Sequence, residues 1–238
     1  MNLILFEADE LTRPLARTDR RAQHLLTVLR RQSGDTFDAG VINGPKGKGF
    51  VRALSADTLD LAFTWGAPPA PPAPITLLVG LPRPQTARDI LRDASTLGLA
   101  SLHFVRTEKG DPNYAQSSLW TSGEWRRHVI AGAEQAFATQ LPEISHHRAL
   151  DEMLAALPPG SQRRALDNYE ARAAFSTMAC NASPVVLAIG SERGWSARER
   201  DQLRAAGFDL LHLGDRVLRT ETAVIATLAI TRAKLGLM

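Results

Sequence analysis

The chain has 238 residues and 44% hydrophobic content, enough for a substantial core in one large domain or two smaller ones. A single cysteine, Cys180, excludes a disulfide within the chain and any zinc cluster built on cysteine spacing, and 28 Lys and Arg against 25 Asp and Glu leave a net charge of +3, too small to mark a nucleic-acid binder by itself. No run approaches the roughly 20 apolar residues of a bilayer span, and Met1 to Glu7 is too short and is followed by acids rather than a cleavage signal, so a cytoplasmic, membrane-free location is expected.

In chain order, Asp19 to Arg31 has a helical pattern. Asp35 to Val41, Gly49 to Leu54 and Thr58 to Trp65 read as strands separated by glycine turns, which predicts a small β-barrel over residues 1–66. Charge is concentrated here. Between Arg13 and Arg52 nine basic residues face only Asp19, Asp35 and Asp38, a local net of +6 suited to phosphates. The plainer reading is a solvated surface, because flanking acids bring residues 1–66 back to about +1.

Five prolines between Gly66 and Pro74 disfavour helix and sheet, so 67–74 reads as an extended spacer. Beyond it, Ile75 to Leu81, Ser101 to Val105, Arg163 to Tyr169, Pro184 to Ile189 and Phe208 to Leu213 read as strands. They alternate with helical patterns over Thr86 to Leu97, Gly123 to Thr139, Ser196 to Ala206 and Glu221 to Leu235. That alternation predicts an α/β domain over 75–238.

Two loops in this second half carry the strongest signal. Ile189-Gly190-Ser191-Glu192-Arg193-Gly194 follows one predicted strand, and Leu213-Gly214-Asp215-Arg216-Val217-Leu218-Arg219-Thr220-Glu221-Thr222-Ala223 follows another. Ligands of open α/β sheets sit at such strand ends. Glycines there bring main-chain N–H and C=O groups close to a ligand, which suits an uncharged heterocycle such as adenine. The pair points to a nucleoside-like cofactor.

The same loops resemble the signature of the bacterial ribosomal small-subunit uracil-N3 methyltransferases, a branch of the knotted SPOUT class of S-adenosylmethionine enzymes. Leu213-Gly214, Arg216 and Leu218-Arg219-Thr220-Glu221-Thr222-Ala223 coincide with that family's pattern. The first loop departs from it, with Ser191 and Arg193 where the family usually has proline and a glycine pair around the glutamate. Earlier, His24-Leu25-Leu26, Val28-Leu29-Arg30, Gly34-Asp35, Asn43-Gly44 and Gly47 are similar to the family's small RNA-binding β-domain. Leu97-Gly98, Ala133-Glu134-Gln135 and Pro142-Glu143-Ile144 match in the middle. Thr96 stands where glutamate is common, Arg83 where lysine is, and no glycine-arginine follows Gln135.

The resemblance implies a SPOUT-type trefoil-knotted α/β domain preceded by a PUA-like β-barrel, an obligate homodimer, and methylation of a uridine in 16S ribosomal RNA or the small ribosomal subunit. It implies contact with S-adenosylmethionine through Ile189, Gly190, Glu192, Gly194, Leu213, Gly214, Leu218, Thr220, Thr222 and Ala223. Arg13, Arg30, Arg31, Lys46, Lys48 and Arg83 become the expected RNA contacts. Methylating N3 requires removal of its proton, so a cation is needed beside the uracil carbonyls: Arg219 first, Arg216 second, while Glu221 and Glu192 either accept a proton or hold these arginines or the loops, the holding role being preferred for Glu221.

Each assignment has a plainer counterpart. Glu221 and Thr222 suit the open N-terminus of a helix, Ser196 and Glu199 form a capping box, and Gly190 and Gly214 permit turns. His146 and His147 lack partners at metal-ligand spacing, so no metal is expected. His24 lies on a predicted apolar helix face with Leu25 and Val28. Trp120 and Trp125 suit a core or an interface. The alternative to an active enzyme is a catalytically silent or retargeted RNA-binding member, suggested by Ser191, Arg193 and Thr96. A dinucleotide-dependent oxidoreductase ranks far behind, because no G-x-G-x-x-G follows the first strand of the large domain.

Overall fold

The structure, a computed structural model, describes residues 3–146, 148–180 and 184–238. Met1, Asn2 and His147, on which two of the readings above partly fall, lie outside the described residues. The chain forms two compact units: Met1–Pro71 with Ala133–Leu141, and Pro72–Gly132 with Pro142–Met238.

The first unit contains β1 (Ile4–Phe6), β2 (Leu15–Ala16), α1 (Arg20–Gln23), β3 (Thr36–Val41), β4 (Lys46–Leu54) and β5 (Thr58–Trp65). The strands form one sheet in the order β1-β3-β4-β5-β2, parallel at β1–β3 and antiparallel elsewhere. The expected barrel is therefore a curled sheet with β1 and β2 as its edges. Alternation along β4 decides its faces. Gly49 and Val51 turn inward while Lys46, Lys48, Phe50 and Arg52 turn outward. A Cβ on Gly49 would lie 2.2 Å from the Phe37 ring, so glycine makes room for an aromatic core of Phe6, Phe37 and their neighbours.

Asp19 caps α1 by accepting from the Arg21 N–H. The helix then widens into a π turn over His24–Val28, where the Leu29 N–H reaches back to the His24 carbonyl at 3.0 Å. Leu25 is buried but Val28 is 63% exposed, so the apolar face expected to include Val28 does not extend that far. The wider turn carries Val28 off the stripe that an ideal 3.6-residue period assigns to it.

Ala133–Leu141 belongs to this unit through main-chain bonds. The Leu5 N–H donates to Glu134 Oε1 at 3.1 Å, the Asn43 N–H to the Thr139 carbonyl at 2.8 Å, and the Leu141 N–H to Asn43 Oδ1 at 2.9 Å. Two motifs far apart in sequence, Asn43-Gly44 and Ala133-Glu134, thus serve one junction. Burial raises the Glu134 carboxyl above the usual range. The helix predicted to run to Thr139 stops at Gln135 because the chain turns left-handed at Phe137, φ +56°.

The second unit holds β6 (Ile75–Gly80), α2 (Pro84–Leu97), β7 (Ser101–Val105), α3 (Ser118–Thr121), α4 (Glu124–Gln135), β8 (Glu143–Ser145), α5 (Leu150–Ala155), β9 (Gln162–Leu166), β10 (Ala173–Ala174), β11 (Val185–Ile189), α6 (Ala197–Ala205), β12 (Asp209–His212) and α7 (Thr220–Lys234). Its seven-stranded sheet has the order β10-β12-β9-β11-β6-β7-β8, parallel throughout. Parallel strands covered on both faces need unbroken apolar runs, and Val185–Ile189 is buried at every position. α7 packs against α2, burying Val224 and Leu228. Trp120 is core, stacked on His146 with ring centroids 4.4 Å apart.

Register then sets the geometry of the loops. Leu166 of β9 pairs with Ile189 of β11 on one side and with Leu211 of β12 on the other. The three adjacent strands end at nearly the same level, so the loops that follow them emerge side by side.

Candidate active site

Those loops border an open cleft with a cavity volume of about 110 Å³. Ile189, Gly190, Glu192, Gly194, Leu213, Leu218, Thr220 and Ala223 line it together with Arg216. Gly214 lines an adjoining hollow with His212, Asp215 and Arg216. Arg219, Glu221 and Thr222 are not among the lining residues of either. Arg219 is the exposed residue before α7, where its carbonyl accepts the Ala223 N–H at 2.8 Å, and Glu221 lies in the first turn of that helix.

Backbone packing fixes the first loop. The Gly194 N–H donates to the Ser191 carbonyl at 2.8 Å, closing a tight turn with Gly194 at φ +63°. A Cβ on Gly190 would sit 2.8 Å from Gly194 Cα, so only glycine lets the turn fold back on itself. Trp195, fully buried, donates from its ring N–H to the Leu166 carbonyl at 3.1 Å and ties this loop to the end of β9. Glu192 accepts the Arg83 N–H at 3.0 Å, joining the loop to the start of α2. Ser196 and Glu199 form the expected capping box, and Glu199, buried, also accepts the Glu108 N–H at 2.8 Å.

A third loop, Asp167 to Glu170, completes the cleft, and the sequence reading placed most of it inside a strand. The strand stops at Leu166 because the Asp167 carboxylate accepts the N–H groups of Tyr169 at 2.9 Å and Glu170 at 2.6 Å, turning the chain. Asp167 is buried and lies 3.5 Å from Arg200, while Tyr169 projects outward, 73% exposed, with Lys109 and Arg200 over its ring. The available signal was an acid directly after the apolar pair Ala165-Leu166, at a strand end next to the two motif loops.

Beside this cleft, and sharing Ser191, Glu192 and Arg193 with it, is a second hollow of about 440 Å³ reaching to Arg83, Lys109 and Tyr114. Away from both hollows, Arg88 and His128 hydrogen-bond to Glu124 and hold its carboxyl down at about 2.

Several basic positions of the first unit are engaged. Arg13 pairs with Asp9 at 2.7 Å, Lys48 with Asp38 at 2.7 Å, and Lys46 donates to the Phe137 carbonyl at 3.1 Å and sits over its ring. Arg30 is exposed at φ +52°, and Arg31 is half-buried. Arg83 is exposed in the second unit. Thr96 donates toward the Arg92 and Gly132 carbonyls at 3.0 and 3.2 Å, a helix-packing role.

A sequence model of the RNA methyltransferase domain matches residues 69–232. The chain is 34% identical over 242 residues to a ribosomal RNA small subunit methyltransferase E of Treponema pallidum, covering 98% of this chain and 91% of that protein. It is 26% identical to a ribosomal RNA small subunit methyltransferase E 1 of Borreliella burgdorferi, with 99% of each covered. Its fold is that of a ribosomal RNA small subunit methyltransferase E from Neisseria gonorrhoeae bound to S-adenosyl methionine, at a TM-score of 0.79 and 21% identity over 98% of this chain and 97% of the other. A probable rRNA-methyltransferase from Porphyromonas gingivalis superposes with a TM-score of 0.83 at 20% identity, with 98% of each covered.

Proposed function

The chain belongs to the RNA methyltransferase domain family and, within it, to the ribosomal RNA small subunit methyltransferase E proteins, and from that premise we propose that it methylates N3 of a uridine in 16S ribosomal RNA, with S-adenosylmethionine as donor. The observation that carries the donor assignment is the convergence of three strand ends on a cleft lined by both apolar and polar residues. Leu166, Ile189, Leu213 and Leu218 offer surface for a purine, and the turn at Gly190 to Gly194 brings amide and carbonyl groups to its edge. The residues present fit a nucleoside without a metal or a nucleophile.

When bound, S-adenosylmethionine supplies a methyl carbon whose bonding pair stays on sulfur as the new bond to nitrogen forms. The chain's own task is the acceptor. The N3 proton passes to solvent, and the charge left behind spreads over the two uracil carbonyl oxygens. A guanidinium stabilises that charge best where it lines the site, so Arg216 takes this role ahead of Arg219. Glu192 is assigned to holding the loop, since its carboxylate already accepts the Arg83 N–H. Glu221 acts on the N-terminal dipole of α7.

The reading also includes the trefoil knot of the SPOUT class, an RNA-binding role for the domain over residues 1–66, a homodimer, and action in the cytoplasm. For the dimer the supporting feature is apolar surface at the chain's end, with Ile225 at 38%, Leu237 at 40% and Met238 at 76% exposure. Among the described residues no helix is long and apolar enough to cross a membrane.

Calorimetric titration with S-adenosylmethionine tests the cofactor assignment. One saturable site per chain is expected. No heat of binding, with or without RNA present, would leave the non-catalytic RNA-binding alternative suggested by Ser191 and Arg193.

A further inference from the structure

The hollow beside the cofactor cleft has features that the cleft lacks. Its rim carries three cations, Arg83, Lys109 and Arg193, against two carboxylates, Asp111 and Glu192. Both acids are engaged, Asp111 by the Asn113 N–H at 2.9 Å and Glu192 by the Arg83 N–H at 3.0 Å. Lys109 is braced by the Trp195 carbonyl at 2.9 Å, which holds its ammonium at the edge. Tyr114 presents a half-buried ring to the same space. Ser191 lines both hollows; it is only 6% exposed, and its buried Oγ has no hydrogen-bond partner among the described residues.

A buried hydroxyl without a partner is uncommon, and one in the wall between two hollows is placed for a ligand. We propose that this second hollow receives the target uridine, its N3 edge turned across Ser191 toward the cleft that Arg216 lines: Ser191 Oγ–H donates to uracil O4, Tyr114 stacks on the base, and Arg193 and Arg83 hold the adjoining phosphates. The chemistry is consistent at each point. A pyrimidine with two carbonyl acceptors meets a donor hydroxyl, its face meets an aromatic ring, and its phosphates meet guanidinium groups able to bind two oxygens at once. Ser191 and Arg193, which depart from the family pattern, then have work in this chain that proline and glycine side chains do not do. Ser191 is a specificity residue here, and Arg193 a phosphate anchor.

This inference rests on the uridine-methylation reading, and the experiment separates the two. Binding of a fluorescently labelled single-stranded RNA containing uridines is measured by anisotropy, alongside methyl transfer to small-subunit RNA, for the unmodified protein and for Tyr114→Ala, Tyr114→Phe, Arg193→Ala and Ser191→Ala. We expect Tyr114→Ala and Arg193→Ala each to weaken RNA binding about tenfold, with Tyr114→Phe restoring it. Ser191→Ala should reduce discrimination between uridine and cytidine RNA. Methyl transfer with RNA affinity indifferent to all four variants overturns the subsite and leaves the reaction standing. RNA binding that depends on Tyr114 and Arg193 without any methyl transfer supports the subsite and sinks the reaction. Failure of the unmodified protein in both assays overturns both.

Discussion

The cofactor cleft of the second unit and the charged sheet of the first are built by opposite means. The cleft is shaped by main-chain register: three parallel strands end together, and a glycine turn, a buried Trp195 ring N–H and the Asp167 carboxylate fix the loops that follow. The small unit is rich in basic side chains, yet Arg13, Arg21 and Lys48 are each bound to an acid. A count of charges therefore overstates what that surface offers a phosphate, whereas a count of side-chain functional groups understates what the cleft offers a cofactor.

The contrast can be broken at several points. The largest effect is expected at the cation of the cleft: Arg216→Ala should lower kcat by about 100- to 1,000-fold, the loss typical of removing a donor aimed at developing charge. S-adenosylmethionine affinity should change little. A larger loss of kcat in Arg219→Ala would restore that residue to first place. Next comes the backbone itself. Gly190→Ala forces a Cβ to 2.8 Å from Gly194 Cα, and the loop has to open by a distortion of about 1–3 kcal/mol, seen as roughly a 10- to 100-fold loss of S-adenosylmethionine affinity by calorimetry. Unchanged affinity would show that the turn does not shape the site.

In the small unit the expected effects concern stability. The Arg21 side chain is 18% exposed and bonds both Glu10, at 2.6 Å, and Asp19, at 2.8 Å, so Arg21→Ala should cost roughly 1.5–3 kcal/mol in urea unfolding followed by tryptophan fluorescence. The same triad has a smaller signature in pH. Arg21 holds the Glu10 carboxyl below its ordinary value; at Asp19 burial pushes upward but the Arg21 bonds prevail and the net shift is also downward. Carboxyls lowered in the folded state stabilise it above the ordinary carboxylate range, and that contribution disappears as pH falls through their folded values. Arg21→Ala should therefore flatten the pH dependence of this unit's stability below about pH 4.

Much of the architecture was legible because its signals are local. Val185–Ile189 is an unbroken apolar run bounded by proline and glycine, Ser196 and Glu199 announce a helix start, and Thr58–Trp65 is the strand its pattern predicts. What escaped depends on contacts distant in sequence. Nothing local at Ala133–Leu141 indicates that it bonds Leu5 and Asn43, and the pairing of Leu166 with both Ile189 and Leu211 is a register, visible only once the sheet is assembled. For the same reason the motifs named Gly190, Leu213 and Leu218 correctly as neighbours, yet missed Asp167 to Tyr169. The short strands Ile4–Phe6, Leu15–Ala16 and Glu143–Ser145 carry too few residues to show a period.

The most direct test of the account is the chemical identity of the product. Small-subunit ribosomal RNA lacking the modification is incubated with the protein and S-adenosylmethionine carrying a labelled methyl group, then digested to nucleosides and resolved by mass spectrometry. The account predicts label in 3-methyluridine, one methyl per RNA, strongly diminished with Arg216→Ala. Label on a ribose 2′-oxygen, on a base carbon or on another base would contradict it.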